Sequence, residues 1–272
     1  MNMSDPLLVD DRDGVRTITI NRPDRMNALN KLAAVQLAAA LEDLFERPDI
    51  GAVILTGTGQ KAFCTGADVK EFKVGSGYAG ASWAGIGIPM EQIQRLIRSV
   101  PQPVIAAVNG FAIGGGNVLQ VVCDMSIASE TAKFGQVGPK FGSFDAGFGT
   151  AYLARLVGER KAREIWFRCK AYTADEALAM GLINTTVAPD RLMDVADEWA
   201  RDCLALSPTA LKVLKASFNA DSEQIAGTTQ LAFGALKLYY AGPEAAEGHA
   251  AFHEKRAPSY GTFRDFDDAG SY

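Results

Sequence analysis

Two glycine-bearing turns have the plainest chemical use in this chain. Gly114-Gly115-Gly116 follows the apolar run Val104 to Val108 and leads into a helical pattern. Amides at such a place, with no Cβ beside them, can face an anionic ligand from the start of a helix, or they can simply let helix and strand pack closely. Thr65-Gly66-Ala67-Asp68 makes the same offer after another strand-like stretch. Two amide sources at two strand ends suit an oxyanion hole for a carbonyl that acquires negative charge. Histidine narrows the other chemistries. Only His249 and His253 exist, both in the last predicted helix, so a Ser-His-Asp or Cys-His centre would have to draw its base from there. Their i, i+4 spacing lets both face one metal, but no Glu follows the first His, and we expect no metal site. Acid-base work then falls to Asp, Glu, Tyr or a bound ion.

Elements must position these groups. Leu7 to Val9 and the alternating Val15 to Asn21 read as neighbouring strands, and Leu29 to Phe45 carries helical spacing that ends before Pro48. Ala52 to Thr56 is a short strand, and Phe63-Cys64 begins another. Gly75 to Gly87, rich in Gly and Ala without a period, reads as a mobile loop of the kind that closes over substrates. The unit then recurs: Pro89 to Ser99 as helix, Val104 to Val108 as strand, Asn117 to Val122 as helix, Met125 to Ala128 as strand. From Gly147 onward the signals are almost all helical, with a capping box from Thr173 to Glu176 and a Ser207 cap before Pro208. The expected fold is one α/β core over 1–205, built of strand-strand-helix units, with a helical appendage over 206–272 and no independent linker.

Composition bounds the partners. A chain of 272 residues, 48% hydrophobic, can bury a full core. Lys and Arg total 27 against 32 Asp and Glu with no basic run, which argues against nucleic acid and for a small molecule. Cys64, Cys123, Cys169 and Cys203 never form a Cys-x-x-Cys pair, which fits buried thiols in a reducing compartment. Met1 to Asp13 is polar and acidic, and no apolar run approaches a membrane span, so a cytoplasmic protein off the membrane is expected.

Asn21-Arg-Pro-Asp-Arg-Met-Asn-Ala-Leu29, Ala62-Phe-Cys-Thr-Gly-Ala-Asp68, Pro103-Val-Ile-Ala-Ala-Val-Asn-Gly110 and Gly114-Gly-Gly116 together resemble the crotonase family, over nearly the whole chain. The resemblance implies a crotonase-like spiral, an acyl-CoA thioester as substrate, no covalent cofactor, and a homotrimer or homohexamer. It implies that the amides of Ala67 and Gly115 form the oxyanion hole, and that Arg25, Ala28, Thr65, Gly66, Ala67 and Asp68 hold CoA. Phe252 and Lys255 match positions that reach CoA on a neighbouring subunit. The two glutamates with which hydratases of this family move protons match Val118 and Gly138 here. Neither can transfer a proton, so simple water addition to a double bond is disfavoured.

Phe134 to Gly149, continuing through Tyr152 to Arg155 and Lys161 to Trp166, resembles the branch that contains dihydroxynaphthoyl-CoA synthase and 2-ketocyclohexanecarboxyl-CoA hydrolase. Both reactions run through a thioester enolate. The resemblance places Ser143 and Asp145 beside a second carbonyl, Tyr78 on the mobile loop and Tyr240 among the C-terminal helices. Gln136, Gly138 and Trp166 match the pocket where synthases hold bicarbonate, with Gly138 leaving the space open. Read without that match, Ser143 and Asp145 are helix caps, Tyr239-Tyr240 and Trp166 are core aromatics, and Gln136 ties down a loop. Within the branch, Phe72 stands where the synthase pattern has an arginine, while Ile88 to Glu91 and Ala235 to Tyr240 look more like the hydrolase. Phe in place of a basic contact favours an apolar, alicyclic β-ketoacyl group.

Overall fold

After an opening hairpin, each strand-strand unit deals its two strands to two different sheets in the computed structural model, which describes residues 5–68 and 88–263. β1 (Leu7–Arg12) and β2 (Val15–Ile20) form the expected hairpin. α1 (Lys31–Glu42) starts two residues later than periodicity suggests. Asn30 caps it by accepting the Ala33 amide, and Leu29 is drawn instead into a parallel bridge with Ala67. Then come β3 (Ala52–Gly57), β4 (Ala62–Cys64), α2 (Met90–Ser99), β5 (Val104–Val108), β6 (Phe111–Ile113), α3 (Gly115–Val121), β7 (Met125–Ser129) and β8 (Lys133–Gly135). The loop expected over 75–87 lies outside the described residues.

β3, β5 and β7 run parallel in the large sheet, and β4, β6 and β8 run parallel in the small one, so the units advance as the expected spiral. β3 and β5 are buried along their whole length. Val53, Leu55, Val104 and Ala106 face the main core, while Ala52, Ile54, Ile105 and Ala107 face a second layer. A parallel sheet covered on both sides needs that unbroken apolar run. Each fully buried Ile or Leu contributes about 1.5–3 kcal/mol over leaving it exposed.

The second half holds α4 (Leu153–Val157), α5 (Glu159–Arg168), β9 (Ala171–Thr173), α6 (Ala174–Ala179), β10 (Thr185–Val187), α7 (Leu192–Leu204), α8 (Pro208–Ala220), α9 (Glu223–Tyr240) and α10 (Pro243–Glu254). The near-absence of strands expected after Gly147 is therefore corrected. β9 closes the small sheet antiparallel to β8, and β10 extends the large one parallel to β7. Three-residue strands such as Thr185 to Val187 carry no readable alternation; pairing makes them strands. The capping box on α6 and the Ser207 cap on α8 are formed. Three contacts tie α8 and α9 to α2. The buried Lys215 ammonium donates to the Ile97 and Gln102 carbonyls and pairs with Asp124 at 2.7 Å, Arg98 donates to Ser222 at 2.6 Å, and Asn219 donates to the Arg98 carbonyl.

Candidate active site

A cavity of about 410 Å³ lies where the two glycine turns, the segment 136–145, α2 and α9–α10 converge. Its floor is a close approach of backbones. Gly66 has φ +86°, and a Cβ there would stand 3.0 Å from the Gly115 nitrogen. In the bridge with Leu29, Gly66 offers its carbonyl and Asp68 its amide, which turns the Ala67 amide the other way. Neither Ala67 nor Gly115 donates its N–H to a protein acceptor among the described residues. Both readings of the glycine triplet hold at once: Gly115 opens α3 beside the cavity, while a Cβ on Gly116 would lie 1.9 Å from the Cys64 carbonyl.

The rim is the turn over 22–28. Asn27, buried with φ +53°, accepts the Arg22 amide and donates to the Thr58 and Ala62 carbonyls, which locks the turn onto β3 and β4. Arg25, Ala28, Thr65, Gly66, Ala67 and Asp68 all line the cavity as expected, with Arg25 exposed at its mouth. The Asp68 carboxylate, however, pairs with Arg22 at 2.8 Å, so its side chain secures the rim.

Asp145 lies deeper. Its Oδ1 accepts the Gly147 and Gly149 amides at 3.0 Å each, and its Oδ2 accepts Gln94 Nε2 at 3.1 Å. The cap-like role read from the residues is thus present together with a place in the cavity. The amides feed a turn of π-helix, Phe148–Tyr152, that precedes α4. Burial raises the Asp145 pKa above the ordinary carboxylate range, against the three donors that lower it. Ser143 Oγ and Tyr240 Oη are 2.6 Å apart. Burial pushes Tyr240 up to about 12, so it keeps its proton.

Tyr240 and Phe252 both line this chain's own cavity: Tyr240 bonds to Ser143, and Phe252 sits edge-on to Phe141 at 5.0 Å. The cause is a glycine contact, since a Cβ on Gly248 of α10 would lie 2.4 Å from the Gly142 nitrogen. Lys255 is the exposed left-handed cap of α10, outside the cavity lining. Gly138 lines the cavity, and the Cβ of any larger residue there would lie 2.6 Å from the Ser143 carbonyl oxygen. Trp166 spends its indole N–H on the Gly149 carbonyl at 2.6 Å. Gln136 lines the cavity fully buried, with both amide atoms lacking a partner among the described residues. Val118 is core. Tyr78 lies outside the described residues.

Among the lining residues to which the sequence reading gave no place in this site are Gln94, Phe233 and His249, the last weighed there only as a base or a metal ligand. Gln94 interrupts the buried stripe Met90, Ile93, Ile97 of α2, a signal available in the sequence. His249 is half-buried, 5.7 Å from the Tyr240 ring, and burial lowers its pKa. His253 is exposed, and among the described residues no cluster that could hold a metal forms. Cys64, Cys123 and Cys203 are buried free thiols and Cys169 is partly so. No described helix is long and apolar enough to cross a membrane.

Residues 10–263 match the family described as enoyl-CoA hydratase/isomerase. The chain belongs to that family, within the crotonase superfamily. Among solved structures, an enoyl-CoA hydratase from Mycobacterium avium subsp. paratuberculosis K-10 superposes with a TM-score of 0.83 at 29% identity, over 93% of this chain and 98% of that one. An enoyl-CoA hydratase from Bacillus anthracis gives 0.73 at 31% identity, over 94% and 98%. A monofunctional enoyl CoA isomerase from M. smegmatis gives 0.69 at 31%, over 80% and 94%.

Proposed function

We propose that this family member cleaves a carbon-carbon bond, opening the ring of an alicyclic β-ketoacyl-CoA by hydrolysis. The observation that carries the reading is the buried carboxyl of Asp145 in a cavity whose other two lining carboxylates are the Arg22-paired Asp68 and the exposed Asp24, while the positions of both hydratase glutamates hold Val118 and Gly138. In this scheme Asp145 takes a proton as water bonds to the ring ketone carbon. Tyr240 and Ser143 donate to the ketone oxygen as it becomes an alkoxide. Collapse restores that carbonyl and breaks the bond to the α-carbon, whose electrons pass to the thioester oxygen facing the Ala67 and Gly115 amides. One such donor is typically worth about 3 kcal/mol. The proton on Asp145 then goes to the α-carbon, leaving a carboxylic acid and an intact thioester.

Arg25 and the 65–68 turn are the proposed CoA contacts. Phe218, Leu231 and Leu238, exposed on α8 and α9, support the expected homotrimer or homohexamer. A ring-forming synthase is the second reading, favoured by the unpartnered Gln136 amide, which suits bicarbonate. The engaged Trp166 N–H weighs against it. Mass spectrometry after incubation with 2-ketocyclohexanecarboxyl-CoA in oxygen-18 water separates the two. Labelled pimeloyl-CoA is expected; an intact ring, together with bicarbonate-dependent cyclisation of succinylbenzoyl-CoA, would establish the synthase instead.

A further inference from the structure

Gln94 is 1% exposed, lines the cavity and donates through Nε2 to Asp145, yet its carbonyl Oε1 is buried with no partner among the described residues. Leaving such a carbonyl unsatisfied forfeits the hydrogen bond it had to water, so a bound group that supplies a hydrogen is favoured there. Asp145 adds a second vacancy for a donor. Its Oδ1 already accepts two amides, and its Oδ2 accepts Gln94 alone, which leaves one lone pair free. At the end of the cavity that both residues line, one amide thus links two acceptors with capacity to spare, the Gln94 carbonyl and the Asp145 Oδ2. A ketone or an enolate has no hydrogen to give them; a water molecule has two.

We infer that Gln94 is a positioning residue for Asp145 and that its carbonyl, together with that carboxylate, holds the water that attacks the ring ketone. The water role rests on the hydrolytic reading. One hydrogen passes to Asp145, the other stays on the water oxygen and donates to the Gln94 carbonyl, and the oxygen lone pair is left aimed at carbon. The elements around Asp145 bring few other charges. α9 offers Tyr240, whose pKa the carboxylate raises, and α10 offers His249. On α2, Glu91 and Arg95 pair with each other, while Arg98 turns to Ser222 and the rings of Phe148 and Tyr152.

The test compares wild type with Gln94→Met, which keeps length and suits an apolar stripe. Ring opening of 2-ketocyclohexanecarboxyl-CoA is followed against pH, and the Asp145 carboxyl is titrated by infrared difference against Asp145→Asn. The expected result is a kcat lowered on the order of 100-fold, as for a misplaced reactant, with KM and CoA binding within threefold. The acid limb and the infrared titration should both move to higher pH, because an N–H that stabilises the carboxylate is gone. A kcat within threefold of wild type would overturn the water role, and an unmoved infrared titration would overturn the positioning role. A wild type that leaves the ring intact removes the hydrolytic reading and the water role with it, while the infrared titration still decides whether Gln94 positions Asp145.

Discussion

Asp145 is held between two opposing effects. Burial disfavours its charge, three N–H groups favour it, and burial wins, so the carboxyl titrates above its ordinary range. As a base it must be ionised, and kcat/KM should therefore climb with pH through that raised pKa. Tyr240, pushed up to about 12, should not limit the alkaline side near neutrality. Asp145→Asn should lower turnover by about 10²–10⁴-fold, with CoA binding little changed because the proposed thioester and CoA contacts, on the Gly66–Gly115 floor and the rim, do not include this side chain. The same residue makes a stability prediction. A carboxyl whose pKa is higher folded than unfolded stabilises the fold at low pH and loses that contribution as pH rises through the folded value. The Asn variant should accordingly melt above wild type at pH 8, and calorimetry should show the gap shrinking as pH approaches about 4, the unperturbed Asp value.

At the scale of elements, the floor depends on glycines that do two different jobs. Gly66 combines a positive φ with a Cβ position 3.0 Å from the Gly115 nitrogen, so Gly66→Ala places a methyl against the amide that should receive the oxyanion. Gly116→Ala drives a methyl to 1.9 Å from the Cys64 carbonyl and forces α3 off β4. Denaturant titration should find the Gly116 variant the less stable of the two. The Gly66 variant, if soluble and folded, should lose about 10²-fold or more in kcat, the cost of an impaired oxyanion donor. The floor was legible from sequence because turn glycines between a strand and a helix serve either a ligand or close packing, and here Gly115 borders the cavity while Gly116 packs on Cys64. So were β3 and β5, whose continuous apolar runs admit only burial on both faces. β6, β8, β9 and β10 were not, since three residues hold one and a half periods and gain strand identity from pairing partners distant in sequence. Gln94 was legible in principle as a polar break in an apolar helical stripe, but its partner Asp145, 51 residues away, is a product of the fold.

Across the whole molecule, the arrangement least legible in the sequence is the direction in which α9 and α10 return. The family resemblance marks Tyr240 and Phe252 as site residues, but no local pattern says whether they cover their own chain's site or another's. The choice is made by packing at a distance: Lys215 and Ser222 tie the α8–α9 junction to α2, and Gly248 rests on Gly142 so closely that no side chain fits between them. Asp145, Gln94, Ser143 and Tyr240 thereby come from one chain. Each chain should consequently carry a complete site, which a complementation experiment can read. Asp145→Asn and Tyr240→Phe each impair one chain, and if sites were shared between chains, co-expressed and co-purified mixtures would regain about a quarter of wild-type turnover at those sites that receive both intact residues. With α9 folded over its own chain, the mixture should show no more activity than the average of the two variants measured alone. Recovery well above that average would mean that the C-terminal helices exchange between subunits and that the Ser143–Tyr240 bond forms across chains.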